Sequence, residues 1–364
     1  MLPILNKQEQ VSYTLRGLYQ NYGYQQYKVS NFEEYDLYAS NREFLVGNQI
    51  LTFSDTNGHL MALKPDITLS VIKNMRTDSR TRKVWYTENV YRVPHNSYGF
   101  QEIMQTGLEC IGTVDRYVLT EVLMLACRSL QTISDNYVLS LSHLGILSGI
   151  LAEINGSDDA KKEILEAISE KNPHSLLAVC HSQNISENLT AVLQQLCITS
   201  GPVETVLDNL MQMELPASSK AAAEELRELC IGLSGFGKFN VHLDLSVVNH
   251  FDYYTGIVFR GFVDNVAACV LSGGQYDGLL QRMGKEGGAI GFAVYLDNLE
   301  RLSADYREYD IDTLLVYSES DSIKAVAAKA KELADAGEIV RIQSSAQTHL
   351  RVRRKITLSG KEAE

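Results

Sequence analysis

The chain has 364 residues, 45% of them hydrophobic and 21% charged, which is typical of a globular protein with room for two or three domains. No segment approaches the ~18 uninterrupted apolar residues of a membrane span, and the N-terminus lacks a secretory hydrophobic region. A net charge of −12 argues against broad nucleic-acid binding, which depends on lysine and arginine. The six cysteines are scattered without metal-binding spacing, so we expect a cytoplasmic protein with reduced thiols and no metal or cofactor.

The first 140 residues combine helices with short alternating strands. Apolar residues at helical spacing predict a helix over 8–24. The alternating runs 49–53 and 59–63 predict a hairpin. Asp66 is placed to serve the amino end of a helix that reaches Met75. Strand-like segments follow at 84–86, 89–92 and 100–110, and a long helix is predicted over 115–132.

The rest of the chain changes character twice. Residues 141–236 show helical periodicity and no convincing strands, which predicts a helical insertion. Strand patterns return over 240–302, and the run 287–293 leads into a helix. Beyond it, a small α/β unit is predicted over 305–364. This unit has a predicted strand at 313–317, a helix at 321–336 and a second strand at 339–342. A basic run follows, and it is predicted to be a solvated tail: Arg351, Arg353, Arg354 and Lys355.

These segments together predict an α+β protein. Its core, formed by residues 1–140 and 237–304, has a mainly antiparallel sheet. The helical insertion of 141–236 interrupts this core, and the small C-terminal α/β unit follows it.

Two polar-aromatic clusters carry the strongest functional signal. The first runs from Asp252 to Gly256 and the second from Gly273 to Gly278, each beside a short β-like stretch. Glycine allows a ligand to approach the backbone closely, and tyrosine offers a flat face with a hydroxyl at its tip. The pair predicts the floor of a site for a small polar, ring-bearing ligand. A strand edge with two turns is the structural alternative.

This pair resembles the two histidine-specific signatures of histidyl-tRNA synthetase. Over roughly residues 5–302, four further blocks resemble the class II aminoacyl-tRNA synthetase motifs in the correct order. They are 21–33, 63–68, 90–109 and 291–293. The resemblance implies an antiparallel class II sheet flanked by helices. It also implies a homodimer built around residues 20–60, because the first motif of that class is a dimer interface.

The resemblance also assigns roles in an amino-acid pocket. Asp66 and Thr68 would hold the ligand ammonium, with Asp66 standing where the family has a longer glutamate. Gln105 and Arg92 would face the carboxylate. Glu109 and Tyr254 would bracket the imidazole ring. Tyr253 and Tyr276 would complete the wall of the pocket. The alternative is that these residues are vestigial polar groups of the core.

Several positions depart from the family pattern. Asn249 stands where the family has an arginine three residues before its first histidine signature, and Asn298 stands where an arginine clamps ATP. Tyr295 replaces a small glycine, and Pro94 replaces a glutamate. Asparagine has neither the charge nor the forked geometry that a phosphate requires. The sequence therefore predicts that ATP-dependent activation of an amino acid is lost.

A histidyl-tRNA synthetase-like core without those arginines resembles the regulatory subunits of ATP phosphoribosyltransferase. That resemblance implies a non-catalytic protein that binds L-histidine and partners a short-form catalytic subunit in the first step of histidine biosynthesis. A homodimer within a hetero-oligomer is expected, with no tRNA and no membrane. A divergent histidyl-tRNA synthetase or other histidine-activating ligase is the alternative, and a pure interaction scaffold with an inactive pocket is a third possibility.

Overall fold

The computed structural model describes residues 5–45, 49–75, 80–93, 99–248, 253–303 and 308–358. The chain divides into two compact units, residues 1–303 and 304–364, and the predicted core and helical insertion lie together in the first. Within the described part of the chain, no helix has the length and apolar character needed to cross a bilayer.

The first unit alternates helices and strands up to residue 143. The bounds of these elements are α1 (Lys7–Asn21), β1 (Gln25–Gln26), β2 (Phe32–Glu34), α2 (Tyr35–Ala39), β3 (Thr52–Ser54), β4 (Leu60–Leu63), α3 (Thr68–Asn74), β5 (Arg82–Arg92), β6 (Gln101–Gly112), α4 (Arg116–Ile133) and β7 (Tyr137–His143).

Helices dominate the middle of the chain, and strands return after it. The elements from residue 144 to the end of the first unit are α5 (Leu144–Glu153), α6 (Asp158–Ser169), α7 (Pro173–Ser182), α8 (Glu187–Ile198), β8 (Ser200–Pro202), α9 (Val203–Gln212), α10 (Ala217–Ser234), β9 (Val241–Asp244), β10 (Ile257–Val263), β11 (Leu271–Gln275), α11 (Asp277–Arg282), β12 (Gly288–Tyr295) and a 3₁₀ helix (Leu296–Ser303).

Local sequence signals place several helix starts. Asn6 and Glu9 form a reciprocal capping box at the start of α1, each side chain accepting from the other residue's backbone N–H at 2.8 Å. Asp115 caps α4 by accepting from the N–H of Val118 at 2.9 Å. Asp66 accepts from the N–H of Leu69 at 2.9 Å, which confirms its predicted role at the amino end of α3.

A nine-stranded sheet forms the centre of the first unit as described, in the order β1-β5-β6-β12-β11-β10-β7-β9-β8. Its pairings are antiparallel except for β1 with β5 and β7 with β9. Alternation along the strands separates two faces. Leu108 and Phe292 are buried in the core that includes residues of α1 and α4, whereas Glu109 and Gly291 face the opposite side. The α+β, class II synthetase-like prediction is confirmed.

Three local expectations for the first unit need correction. Strand β8, Ser200–Pro202, lies within the predicted helical insertion and pairs with β9, but three residues are too few to show alternation. The segments 84–86 and 89–92 form one continuous strand, β5. The helix after β12 is a 3₁₀ helix, because its apolar spacing does not distinguish the two helix types.

The second unit contains a three-stranded parallel sheet and one helix. Its elements are β13 (Ile311–Val316), α12 (Ile323–Asp335), β14 (Val340–Gln343) and β15 (Val352–Thr357), and the sheet order is β14-β13-β15.

The predicted tail is therefore wrong, because the basic run forms strand β15 beside β13, although the side chains of Arg351, Arg353 and Arg354 are exposed. Arg351 pairs with Asp310 at 2.8 Å. Arg354 donates to Thr313 Oγ1 at 2.9 Å and also pairs with Glu338. These acidic partners lie in the segments before β13 and before β14, so the basic run has charge partners within the second unit.

Candidate functional site

A cavity of about 360 Å³ lies over one face of the central sheet. It is the size of a small-molecule site. The structure brings all eight residues of the predicted pocket to its lining. They are Asp66, Thr68, Arg92, Gln105, Glu109, Tyr253, Tyr254 and Tyr276. Asp252, which opens the first signature, lies outside the described residues.

Strand register explains why these residues meet. Arg260 of β10 is opposite Ser272 of β11, Ser272 is opposite Ala293 of β12, and Ala293 is opposite Gly107 of β6. Cross-strand partners lie on the same face of a sheet. The adjacent row on this face contains Gly274, Gly291 and Glu109. The floor is therefore built from small residues, and long side chains rise at its edges.

Two glycines are required by close packing above this floor. A Cβ on Gly291 would overlap Oε2 of Glu109 and would lie 2.5 Å from the carbonyl oxygen of Leu108. A Cβ on Gly274 would lie 2.7 Å from the Tyr254 ring. The glycines predicted to admit a ligand thus also make room for the side chains that line the site.

Glu109 is the centre of the closed end of the cavity, which we define by Glu109, Thr68, Tyr276, Tyr86 and Tyr254. Thr68 Oγ1 donates to Glu109 Oε1 at 2.8 Å, and the Tyr276 hydroxyl donates to Oε2. Burial raises the pKa of Glu109 to about 8, although hydrogen bonds from Tyr276 and Thr68 oppose the shift. The carboxyl group is therefore mostly protonated at neutral pH and can donate as well as accept a hydrogen bond.

An aromatic wall stands beside Glu109. The rings of Tyr253 and Tyr254 are 4.6 Å apart at 77°, and those of Tyr253 and Tyr276 are 5.7 Å apart at 44°. Phe44 packs on Tyr253 at 6.0 Å. Edge and tilted ring contacts of this kind fix ring orientations, so the tyrosine hydroxyls occupy defined positions around the cavity.

Asp66 enters the cavity from the loop between β4 and α3. Burial raises its pKa, while the Leu69 N–H and the positive charge of Arg92 oppose the shift. The neighbouring Lys64 is fully buried and pairs with Glu88 at 2.8 Å. Because Glu88 belongs to β5, this ion pair ties the Asp66 loop to the central sheet.

The opposite end of the cavity is cationic, and we define this cationic end by Arg92, Arg260, Tyr295, Ser272 and Cys269. Arg92 is 9% exposed, and its Nε is buried without a hydrogen-bond partner among the described residues. Burial raises the pKa of the Tyr295 hydroxyl, and both arginines oppose that shift. Both guanidinium groups therefore act electrostatically at the same place.

Sequence reasoning missed several residues of the lining. Arg260, Ser272, Cys269, Tyr86 and Phe44 all line the cavity but were not predicted. Arg260 could have been found from alternation, since it lies four residues after Gly256 on the strand that follows the first signature. Its position opposite Ser272 becomes evident only from the strand register.

The positions expected to clamp ATP are occupied differently. Asn298 donates from Nδ2 to the backbone carbonyl of Cys269 at 2.8 Å, so its side chain joins the 3₁₀ helix to the segment before β11. Tyr295 lines the cavity, where the resemblance expects a small residue. Asn249 and Pro94 lie outside the described residues.

The fold and its cavity define a class II synthetase-like protein, and comparison with known families agrees. The family model described as histidyl-tRNA synthetase matches residues 3–299, and the chain belongs to that family.

Within the family, the chain is similar to two kinds of protein. It is 28% identical to an ATP phosphoribosyltransferase regulatory subunit of Clostridium kluyveri, over 92% of this chain and 89% of that one. It is 29% identical to a histidine–tRNA ligase of Methanocaldococcus jannaschii, over 93% of this chain and 82% of the ligase.

Solved structures agree on the fold. An ATP phosphoribosyltransferase regulatory subunit/histidyl-tRNA synthetase from Bacillus halodurans matches with a TM-score of 0.78 and 22% identity, covering 96% of this chain and 93% of that one. A chain of the ATP phosphoribosyl transferase (HisG:HisZ) complex from Thermotoga maritima matches with a TM-score of 0.61 and 19% identity, covering 78% and 96%.

Proposed function

We propose that this chain is a non-catalytic regulatory subunit of ATP phosphoribosyltransferase, that it binds L-histidine in the cavity, and that it confers feedback inhibition on the first step of histidine biosynthesis. One observation carries the proposal. The groups suited to an amino acid are assembled, while Asn298, at the position of an ATP clamp, is bound to a backbone carbonyl.

The closed end supports histidine as the ligand. Glu109 and Tyr254 carry hydroxyl or carboxyl groups that can exchange hydrogen bonds with the two imidazole nitrogens. Asp66 offers a carboxylate to the ligand ammonium. A ligand that displaces the existing hydrogen bonds without replacing them leaves buried polar atoms unpaired, so the site discriminates strongly.

A regulatory role requires coupling between this site and a remote catalytic site. Histidine can shift the activity of a complex only if it binds the states of that complex unequally. A coupling free energy of ~1–3 kcal/mol corresponds to roughly a 5- to 150-fold change. The catalytic partner would be a short-form ATP phosphoribosyltransferase subunit, as the names of the Clostridium kluyveri relative and the Thermotoga maritima complex suggest.

We further propose that the subunit is a homodimer within the hetero-oligomer, in the cytoplasm. The small sheet β2-β4-β3, within the region where the resemblance implies an interface, exposes three large apolar side chains: Phe32, Phe53 and Leu60. Phe32 and Phe53 pack edge to face at 5.7 Å. All six thiols are free, as expected in a reducing compartment. A monodisperse monomer at micromolar concentration in sedimentation would contradict the dimer.

The decisive experiment mixes the chain with a short-form catalytic subunit and measures phosphoribosyl transfer with and without L-histidine. We expect activation by the chain and inhibition by histidine. The Glu109→Ala variant should lose sensitivity to histidine, because one imidazole partner is removed. The matched control is Glu163→Ala, an exposed position on α6. A mixture with neither activation nor histidine sensitivity would contradict the proposal.

An active histidyl-tRNA synthetase or other histidine-activating ligase is the second candidate, since a histidine–tRNA ligase is among the similar proteins. Histidine-dependent exchange between ATP and pyrophosphate separates the two functions. We expect no exchange by the isolated chain, and a robust signal would favour the ligase. Calorimetry with histidine, in the presence and absence of the catalytic partner, separates both from a scaffold with an inactive pocket.

A further inference from the structure

Arg260 stands out at the cationic end because no described residue forms an ion pair with its guanidinium group. It is half-buried on β10, it lines the cavity, and it has no ion pair or hydrogen bond with any described residue. A guanidinium group kept partly out of water without a partner is unfavourable. Arg260 therefore has unfulfilled capacity to bind a negative group inside the cavity.

Arg92, at the same cationic end of the cavity, strengthens this inference. It is 9% exposed, and its Nε is buried without a partner in the part of the chain that the structure describes. Planar guanidinium groups suit carboxylates because they offer paired donors in a fixed geometry. Two such groups lining one cavity form a stronger site for a carboxylate than either group alone.

The position of Arg260 relative to Glu109 fits an amino acid that spans the floor. Three strand spacings separate β10 from β6, so the two backbones are roughly 14 Å apart at ~4.8 Å per spacing. The long side chains of Arg260 and Glu109 fill part of this span from opposite edges. The strands between them contribute Ser272, Gly274, Gly291 and Ala293 to the floor, and the Tyr254 ring packs over Gly274. The cavity of about 360 Å³ has room for an amino acid, with an imidazole partner at Glu109 and a cation at Arg260.

We propose that Arg260, together with Arg92, holds the α-carboxylate of the ligand and makes the site specific for the free amino acid over analogues that lack this group. This inference rests on the proposed histidine-binding function and extends it. Arg260 is then a specificity-determining residue of the proposed site.

The test compares L-histidine with L-histidinol, which keeps the imidazole and the ammonium but has an alcohol in place of the carboxylate. Both are titrated calorimetrically into the full-length chain, its Arg260→Gln and Arg260→Lys variants, and Arg227→Gln. Arg227 is an exposed arginine on α10 outside the cavity, paired with Glu224. Thermal midpoints of all four proteins are measured, so that a loss of folding is recognised.

In the wild-type chain, histidinol should bind at least 10-fold more weakly than histidine. Arg260→Gln should lower the affinity for histidine by about 10- to 100-fold, because histidine loses a charge-assisted hydrogen bond. The affinity for histidinol, which has no carboxylate, should change less than about 3-fold. Arg260→Lys should retain part of the preference, and Arg227→Gln should match the wild type.

Equal binding of the two ligands by the wild-type chain would overturn the inference, and so would an equal loss of both ligands in a folded Arg260→Gln variant. In either case the proposed histidine site would stand. Failure of the wild-type chain to bind histidine at all, alone or with the catalytic partner, would instead overturn the proposed function and this inference with it.

Discussion

The two ends of the cavity differ in how far the protein satisfies its own polar groups. At the closed end, both carboxyl oxygens of Glu109 already accept hydrogen bonds, from Thr68 and Tyr276. At the cationic end, Arg260 has no partner among the described residues and Arg92 Nε is buried without one. The carboxyl oxygens of the closed end have donors on the protein, whereas the Arg260 guanidinium group has no acceptor among the described residues.

This difference indicates separate contributions to binding. A ligand at the closed end exchanges one set of hydrogen bonds for another, so the net free-energy gain is small but the wrong ring is rejected. A carboxylate at the cationic end meets the Arg260 guanidinium group, which has no partner among the described residues, so it contributes more to affinity. The predictions below test this division, beginning with the change that should abolish both contributions.

Gly291→Val should have the largest effect. A Cβ at this position overlaps the Glu109 carboxyl group and meets the Leu108 carbonyl oxygen at 2.5 Å, and backbone atoms in a central strand cannot yield. We expect histidine binding to fall below detection in calorimetry, together with a lower thermal midpoint.

The matched control is Gly17→Ala on α1, where an added Cβ has no atom within 4 Å. It should stabilise the protein by about 0.5–1 kcal/mol and leave binding unchanged. Normal histidine affinity in Gly291→Val would show that the floor between β6 and β11 is not the binding surface.

The free energy of unfolding should depend on pH through Glu109. Its pKa in the folded protein is about 8, above the ordinary value of 4.5, because burial disfavours the charged form. The contribution of Glu109 to the free energy of unfolding is therefore fully present below pH 4.5, and it is lost as the pH rises through 8. The loss approaches about 1.4 kcal/mol per pH unit between these values.

Glu109→Gln is the matched variant, because glutamine keeps the shape and cannot ionise. Denaturant unfolding of both proteins at pH 6, 7 and 8 isolates the contribution of Glu109, since the other groups titrate in both. We expect the variant to gain stability relative to the wild type as the pH rises. Parallel profiles would mean that Glu109 is charged in the folded protein at neutral pH.

Tyr254→Phe tests the closed end with a smaller change. The ring contact with Tyr253 at 4.6 Å is kept, and only the hydroxyl that would face the imidazole is removed. One neutral hydrogen bond contributes about 0.5–1.5 kcal/mol, so histidine affinity should fall by about 2- to 12-fold. Tyr13→Phe, at a position 60% exposed on α1, is the control. A 100-fold loss in Tyr254→Phe would contradict a closed end that only exchanges hydrogen bonds.

Much of this arrangement was predictable from the sequence, for local reasons. The hairpin of β3 and β4 follows from alternation, and Asp66 is in place to cap α3. The eight residues predicted to line the pocket were reached through motif positions, and all eight line the cavity. Their binding of histidine stays a prediction.

What escaped prediction depends on partners distant in sequence. The sequence of strand β15 resembles a basic tail because the acidic partner of Arg351 is distant in sequence. That partner, Asp310, lies 41 residues before Arg351. Arg260 lines the cavity because β10 pairs with β11 in a particular register, and no local pattern specifies that register. Short elements such as β8 are stabilised by a neighbouring strand rather than by their own sequence.

Asn298→Ala should have the smallest effect on binding, and it separates a structural asparagine from a ligand contact. The Asn298 side chain donates to the Cys269 carbonyl at 2.8 Å, so its removal leaves that carbonyl without this donor. We expect a loss of about 1 kcal/mol in the free energy of unfolding and a histidine affinity within 2-fold of the wild type. Denaturant unfolding and calorimetry on the same preparation measure both. A large loss of histidine affinity with unchanged stability would place Asn298 in contact with the ligand. The cationic end would then extend beyond Arg92 and Arg260 toward the 3₁₀ helix.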